Sequence, residues 1–413
     1  MIERMVIKKL QKLENAIENL IKDIAYPLPF VLDANWVNGL GVIRSLGQIG
    51  LQSVAVNYDA AGVGLYSKYA LGVVGPNPWD DPDGLVDLLI IAGRILPRKG
   101  VLFITDDKYM EVLSAAKDTL RPYFLFSFPD MDVLTKVLDK QEQYAAAEKA
   151  GLAHPRSMTV RSADDLEHWR DDVFPIVIKG VSGKDFFHRF GCQAKEVENL
   201  EEARTIIKQG KAIDFLVQEI IPGGEEQLFT LGCYINAKGE TKGVFTGRKL
   251  RQYPRYYGTC TVGESVSCEE LIVPALATLR NLNFHGITQV ECKRDPRDGN
   301  LKLIEINGRF WKWHSLATAC GVNLAASAYR DISGWGTYIP ESQMYGLKWV
   351  VLVDDLRGVR KDILNKEFEL LPWLRTIAPP FISGLFTWQD VKPFLMKIVF
   401  YLKKVFGIQG RVE

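Results

Sequence analysis

Between Gln289 and Arg309, two carboxylates, a carboxamide and a guanidinium are spaced to suit a divalent cation and a phosphate. Glu291 falls in one apolar run (Ile287 to Lys293). Glu305 and Asn307 fall in or at the end of the next (Leu301 to Ile306), with Arg309 just beyond, and a turn-forming Asp295-Pro296-Arg297-Asp298-Gly299-Asn300 joins the two runs. Side chains two apart on a strand share a face, so Glu305 and Asn307 point together, and strand pairing brings Glu291 alongside. Two carboxylates and an amide oxygen are a hard donor set suited to Mg²⁺, which keeps waters and completes its shell from phosphates. Arg309, continuing on that side, offers a planar fork to phosphate or carboxylate oxygens. A solvated hairpin face can carry the same charges. Leu303, Ile304 and Ile306 favour a largely buried strand instead, where unpaired carboxylates are costly.

Two further elements suit a nucleotide. Phe174-Pro175-Ile176-Val177-Ile178-Lys179-Gly180 is a β-rich run ending in lysine, followed by Val181-Ser182-Gly183-Lys184. A lysine leaving a strand into a glycine loop can reach phosphate oxygens while loop amides and Ser182 surround them. In Val217-Gln218-Glu219-Ile220-Ile221-Pro222-Gly223-Gly224-Glu225, an extended segment leaves a sheet and offers backbone groups to an adenine edge; a following acid can hold ribose hydroxyls. Either element alone reads equally well as an ordinary strand end.

These side chains need alternating strands and helices to hold them. Residues 1–27 read as an amphipathic helix closed by Pro27 and Pro29. Residues 28–130 alternate strand and helix in the manner of a parallel, Rossmann-like sheet. From 131 to about 335 the pattern becomes mixed. A helix from Lys140 to Ala150 ends at Gly151, one hairpin turns at Asn236-Ala237-Lys238-Gly239, and a second carries the acidic set. The stretch divides into a first lobe (131–220) and a second (221–335). Residues 336–413 are expected to form an extension ending in an amphipathic helix over 393–406, where Phe394, Ile398, Leu402 and Val405 alternate with Lys397, Lys403 and Lys404. Asn38-Gly39-Leu40-Gly41 mimics a dinucleotide fingerprint, but Arg44 fills the third glycine position. A tight strand-to-helix turn is the better reading. His314 reads better as a packed histidine than as a base, and Tyr253, Tyr256 and Tyr257 with Arg255 form either a plain loop or a substrate loop.

In order and spacing these features resemble the ATP-grasp superfamily. The features are the lysine of Asp139-Lys140, the strand-end Lys179, Gln-Glu-Ile-Ile-Pro-Gly at 218–223, and Glu291…Glu305-x-Asn307-x-Arg309. Residues 246–254, Thr-Gly-Arg-Lys-Leu-Arg-Gln-Tyr-Pro, further resemble its predicted carboxylate-amine ligase (carboligase) branch, near D-aspartate ligases. The resemblance implies an α/β (α+β) ATP-grasp fold: a Rossmann-like pre-ATP-grasp domain, two α+β subdomains that clasp ATP, and the C-terminal extension. It further implies that Lys140, Lys179, Ser182 and Gln218 serve the nucleotide, that Glu219 and Ile221 bracket adenine, and that Glu225 or Glu226 holds ribose. Glu291, Glu305 and Asn307 would hold one or two Mg²⁺, with Mn²⁺ able to substitute. Arg309, with Arg248 or Lys249, would act on the transferring phosphoryl group and the acyl phosphate. The loop after Lys179 has few glycines compared with the biotin carboxylase branch, which disfavours bicarbonate activation.

The expected activity is therefore an ADP-forming carboxylate-amine ligase acting through an acyl phosphate, on an amino acid or a similar substrate. Other ATP-grasp carboxylation or carboligase chemistry, and a non-catalytic ATP-binding scaffold, are the alternatives. Lys plus Arg total 51 and Asp plus Glu 50 in 413 residues, so no global field favours nucleic acid. Six scattered cysteines without Cys-x-x-Cys suit a reducing compartment. The N-terminus reads as neither a signal peptide nor a membrane span. The expected location is cytoplasmic, with peripheral contact at the inner membrane face through residues 393–406 as an option. Assembly into a homo-oligomer is compatible with the sequence.

Overall fold

The computed structural model describes residues 2–406, apart from 170–173, 182, 193, 211–212, 337 and 367. Its first layer follows the helix α1 (Ile2–Ile21) with β1 (Pro29–Leu32), α2 (Val37–Gly47), β2 (Ser53–Asn57), β3 (Ala70–Val74), α3 (Pro82–Arg94), β4 (Gly100–Ile104), α4 (Asp107–Ala115), α5 (Lys117–Leu120) and β5 (Phe124–Phe126). The strands pair in the order β3-β2-β1-β4-β5, all parallel. Every residue of β1, β2 and β4 is buried, as apolar runs covered on both faces require. A Cβ added at Gly39 would lie 2.5 Å from the Asp33 carbonyl, and one at Gly41 2.8 Å from His314 Nε2. The Gly-x-Gly therefore serves close packing at a strand-to-helix turn.

Next come α6 (Met131–Leu138), α7 (Lys140–Lys149), β6 (Ser157–Val160), β7 (Ile176–Gly180), α8 (Gly183–Phe190), β8 (Lys195–Val197), α9 (Leu200–Gln209) and β9 (Phe215–Glu219). The four strands form an antiparallel sheet, β6-β9-β7-β8, over a core of its own that includes Ile176, Ile178, Phe186, Ile207 and Phe215. The segment after Lys179, expected as a phosphate loop, runs instead into α8 at Gly183. Its Ser182 lies outside the described residues.

The remaining elements are β10 (Leu228–Ile235), β11 (Thr241–Tyr253), β12 (Thr259–Ser265), α10 (Glu269–Asn281), β13 (Gly286–Arg294), β14 (Leu301–Asn307), α11 (Ser315–Ala319), α12 (Leu324–Ser333), β15 (Lys348–Val350), α13 (Leu352–Leu364), α14 (Leu370–Ile377), β16 (Phe381–Ser383) and α15 (Lys392–Val405). Seven strands pair as β14-β13-β10-β11-β12-β15-β16, all antiparallel except β15 with β16. At the β10–β11 turn the Asn236 side chain accepts the Lys238 and Glu240 amides (3.0 and 2.9 Å), and Gly239 takes a left-handed conformation (φ +77°). The C-terminal stretch thus supplies two strands of the large sheet. One apolar cluster joins the layers: Val31, Leu40 and Phe103 from the first, Phe245, Trp311, Trp313 and Trp349 from the third. Among the described residues no helix is long and apolar enough to cross a membrane.

Candidate active site

The four-stranded and seven-stranded sheets face one another across a cleft of ≈ 1750 Å³, and the C-terminal edge of the parallel sheet closes one end of it. The antiparallel register of β13 and β14 sets its floor, with Gln289 opposite Asn307 and Glu291 opposite Glu305. Directly opposed residues share a face with Cβ atoms about 5 Å apart. Period-two alternation therefore delivers four oxygen-bearing side chains to one patch. Asn307 Nδ2 donates to Gln289 Oε1 (3.3 Å) and Glu305 Oε2 (3.4 Å), and Gln289 Nε2 donates to Thr230 Oγ1 (3.1 Å).

Two lysines compensate the two acids. Lys249 Nζ lies 2.7 Å from Glu291 Oε2 and 2.9 Å from Oε1, both side chains being about nine-tenths buried. Burial opposes the lysine's charge, but Glu291 beside it more than offsets this and raises its pKa. Lys140 Nζ lies 3.0 Å from Glu305 Oε1 and 3.1 Å from the Ile304 carbonyl. It stands at the first position of α7, where the Asp139 carboxylate caps the Gln141 and Glu142 amides (2.7 and 3.2 Å). Burial works against the Glu305 carboxylate, yet Lys140, then Lys179 and Arg309, hold its pKa down to about 2. Among the described residues no three or more His, Cys, Asp or Glu side chains converge as a metal cage. Two carboxylates and an amide fit Mg²⁺ rather than a soft metal, because Mg²⁺ takes its other ligands from water and phosphate.

The four-stranded sheet contributes Lys179 and Gln218. Lys179 Nζ donates to Gln218 Oε1 (3.2 Å), and Gln218 Nε2 to Tyr144 Oη (2.6 Å). Burial, then the charge of Lys140, lowers the Lys179 pKa to about 8. The Tyr257 ring lies 5.6 Å from Lys179 Nζ, and its hydroxyl donates to Glu196 Oε1 (2.7 Å). The loop between β11 and β12 thereby bridges the seven-stranded sheet to the four-stranded one across the cleft, which Tyr253, Tyr256 and Tyr257 all line.

The connecting segment lines the cleft with Glu219, Ile221 and Glu225, and each has partners within the fold. Glu219 and Ile221 line the cleft, but the Ile221 carbonyl, like that of Gly223, accepts from Lys293 Nζ (both 2.7 Å). Glu219 accepts the Arg156 amide (3.1 Å) and pairs with Arg297. The Glu225 carboxylate accepts the amides of Gln252 (2.9 Å) and Tyr256 (3.1 Å), so it anchors the tyrosine loop. Burial raises its pKa against those two bonds. Glu226 is not among the cleft-lining residues.

Arg309 lines the cleft and is held by Asp107 at the start of α4 (Nε–Oδ1 2.7 Å, Nη2–Oδ2 2.9 Å). Arg248 is not brought there. It stands opposite Glu264 on β12 and pairs with it (2.8 Å), because alternation turns it to the face opposite Lys249. Of the Arg248/Lys249 pair, only the lysine meets the acidic set. His314 is buried, with Nε2 2.9 Å from the Asn38 carbonyl, and burial lowers its pKa to about 4. It is a packing residue.

Several cleft residues had not been singled out from sequence. Gln289 and Lys293 lie two residues to either side of Glu291, and the same period of two points to them. Asn35, Trp36, Thr105 and Asp106 come from the loops that follow β1 and β4, and Lys312, Asp354 and Arg357 from beyond the acidic hairpin; Lys397, read from sequence only as part of the terminal helix, joins them. Asp354 accepts from Lys312 Nζ (2.7 Å) and Trp36 Nε1 (3.2 Å), and Lys397 Nζ lies 4.1 Å from the centre of the Trp36 ring. No local pattern links positions so far apart. Trp311 Nε1 and Gln252 Nε2, on two cleft-lining residues, are buried with no partner among the described residues.

In sequence the chain is 25% identical over 324 residues to a D-aspartate ligase of Enterococcus faecium (strain Aus0004), a match covering 74% of this chain and 76% of that protein. No family model matches it. In structure it is similar to an L-amino acid ligase from Bacillus licheniformis, at 14% identity over 74% of each chain with a TM-score of 0.57. It is similar as well to a biotin carboxylase from Campylobacter jejuni, at 16% identity over 78% of this chain and 74% of the other with a TM-score of 0.59. An N5-carboxyaminoimidazole ribonucleotide synthetase in its ADP complex aligns at 17% identity over 77% and 79%, with a TM-score of 0.58.

Proposed function

We propose, from the ATP-grasp fold that this chain has and its likeness to a D-aspartate ligase, that it is an ATP-dependent, ADP-forming ligase joining a carboxylate to an amine. An amino acid or a similar molecule is the proposed substrate. The observation that supports this best is the convergence of Glu291, Glu305 and Asn307 with Lys140, Lys179, Lys249 and Arg309 on one cleft. Phosphoryl transfer between two anions needs that sign of environment, since cations must offset their repulsion and the charge spread in the transition state.

In the proposed reaction a substrate carboxylate oxygen bonds the γ-phosphorus of ATP as the bond to ADP breaks. The amine then attacks the acyl carbon, phosphate leaves, and the nitrogen gives up a proton. Lys140 and Lys179 orient the nucleotide phosphates, and Lys249 and Arg309 steady the transferring group and the acyl phosphate. Mg²⁺, held by Glu291, Glu305 and Asn307, would neutralise phosphate charge. The tyrosine loop, pinned by Glu225 and by Tyr257 on Glu196, excludes water that would hydrolyse the intermediate. The peripheral contact of residues 393–406 with a membrane belongs to the proposal too, supported by the exposed Ile398 and Leu402 of α15.

A hydroxylamine trap tests the reading. With ATP, Mg²⁺ and a panel of D- and L-amino acids and other acids, the ligase yields hydroxamate and ADP, and Glu305→Gln abolishes both while the protein stays folded. Bicarbonate-dependent ADP release without hydroxamate would replace the ligase with carboxylation. ATP binding with no ADP under any condition would leave a non-catalytic binder.

A further inference from the structure

A helix packed on a globular body ordinarily turns its apolar stripe inward. Helix α13 does the reverse. Its buried residues are Asp354 and Asp355, while Leu352, Val353, Leu356, Ile363 and Leu364 are exposed. The two acids fix this rotation. Asp355 takes Nε and Nη2 of Arg251 (2.7 and 2.8 Å), Thr261 Oγ1 (3.0 Å) and Trp373 Nε1 (2.9 Å), and Asp354 takes Lys312 and Trp36. The Trp373 bond ties α14 to α13, and α14 buries no residue while exposing Leu370, Leu371 and Leu374.

Helix α15 adds a third apolar face. Leu395, Ile398, Val399, Leu402 and Phe406 recur at steps of three and four and are exposed, while Phe394 packs inward on Phe386 (5.3 Å between ring centres). Helices α13 and α15 each send a residue to the cleft, which Arg357 and Lys397 both line. Apolar surface of this extent is not left in water without an occupant.

Charge identifies the occupant. Among the described residues from 352 to 406, seven exposed cations, Arg357 to Lys404, face one exposed acid, Glu369. A second copy packed on this face by a twofold would set cations against cations. Anionic headgroups over an apolar layer match both properties. We propose that α13, α14 and α15 together form a docking face for an anionic lipid bilayer, with the cleft at its edge. The inference extends the single-helix contact proposed for residues 393–406 and does not depend on the ligase chemistry.

The full chain is floated with vesicles of phosphatidylglycerol and phosphatidylcholine in equal parts, and with phosphatidylcholine alone. The expected result is partition into the anionic vesicles at least about tenfold stronger than into the neutral ones. The doubles Ile398→Asp/Leu402→Asp and Leu356→Asp/Leu374→Asp should each lower that partition about tenfold or more, with circular dichroism and melting temperature unchanged. Equal partition into both vesicle types, or none into either, overturns the proposal. So does a doubled mass in light scattering that the same substitutions abolish, which would make a second copy the occupant. Loss with the α15 double alone would leave the single-helix contact standing and remove the three-helix face.

Discussion

The Lys249–Glu291 pair offers the most quantitative test of how the cleft is held together. At 2.7 Å and an effective dielectric of about 20, the Coulomb attraction is about 6 kcal/mol. Desolvating two nearly buried charges takes back much of this. Deleting one partner is a different matter, because Lys249→Met strands Glu291 uncompensated, at a cost of about 3–5 kcal/mol. The expected result is a fall of several degrees in melting temperature in the absence of nucleotide. Adding Glu291→Gln to Lys249→Met removes the stranded charge and should recover more than half of the loss, about 2 kcal/mol, and Glu291→Gln alone completes the cycle that gives the coupling. Mg²⁺ with ATP should raise the melting temperature of Lys249→Met by more than that of the parent, because the metal supplies the missing positive charge. Differential scanning fluorimetry of the four proteins, with and without nucleotide, measures all of this. Additive single and double variants, or a Lys249→Met protein that melts with the parent, would refute the view that this pair neutralises the acidic set.

Three other expectations follow from the same geometry. The Lys179 pKa, lowered to about 8 from 10.5, means that the folded state releases a proton more readily than the unfolded one. Its charge therefore costs stability below about pH 8, and that cost is relieved as pH rises from about 8 to 10.5. Phosphate binding needs the charge, so ATP affinity should fall as pH rises through about 8; Lys179→Arg should flatten the profile, and a flat profile in the parent would contradict the assignment. Arg248→Ala should change turnover less than about fivefold and stability by about 0.5 kcal/mol, because Arg248, about a third exposed, pairs with Glu264 away from the acidic set; a hundredfold loss would place Arg248 in the chemistry after all. Tyr257→Phe removes the bond to Glu196 across the cleft, and should raise the share of ADP released without amide formation by a few-fold while leaving ATP affinity near that of the parent; an unchanged ratio of ADP to amide would show that this bond does not guard the intermediate.

The residues legible in advance were those whose partners lie nearby in the chain. An acidic hairpin read by period two put Glu291, Glu305 and Asn307 on one face, and the register of β13 with β14 places them there. Gln289 and Lys293 obey the same rule and were within reach of it. The ATP-grasp fold was legible through resemblance to that superfamily, carried by Asp139-Lys140, Lys179 and the Gln218–Gly223 segment in their order along the chain.

What the sequence by itself determined is which side chains share a face. What only the tertiary structure decided is where each face points, because burial against distant elements sets that. Alternation separates Arg248 from Lys249, but only the packing of β11 between β10 and β12 gives Lys249 to Glu291 and Arg248 to Glu264. Glu225 lines the cleft, but only the fold shows that its two oxygens also anchor the loop from Gln252 to Tyr256. Asp355 lies 104 residues from Arg251, and no periodicity in α13 could show that its acids turn inward and its leucines outward. Spacing along a chain carries information about one turn or one strand pair. Burial of a charge is settled by partners that only folding brings near.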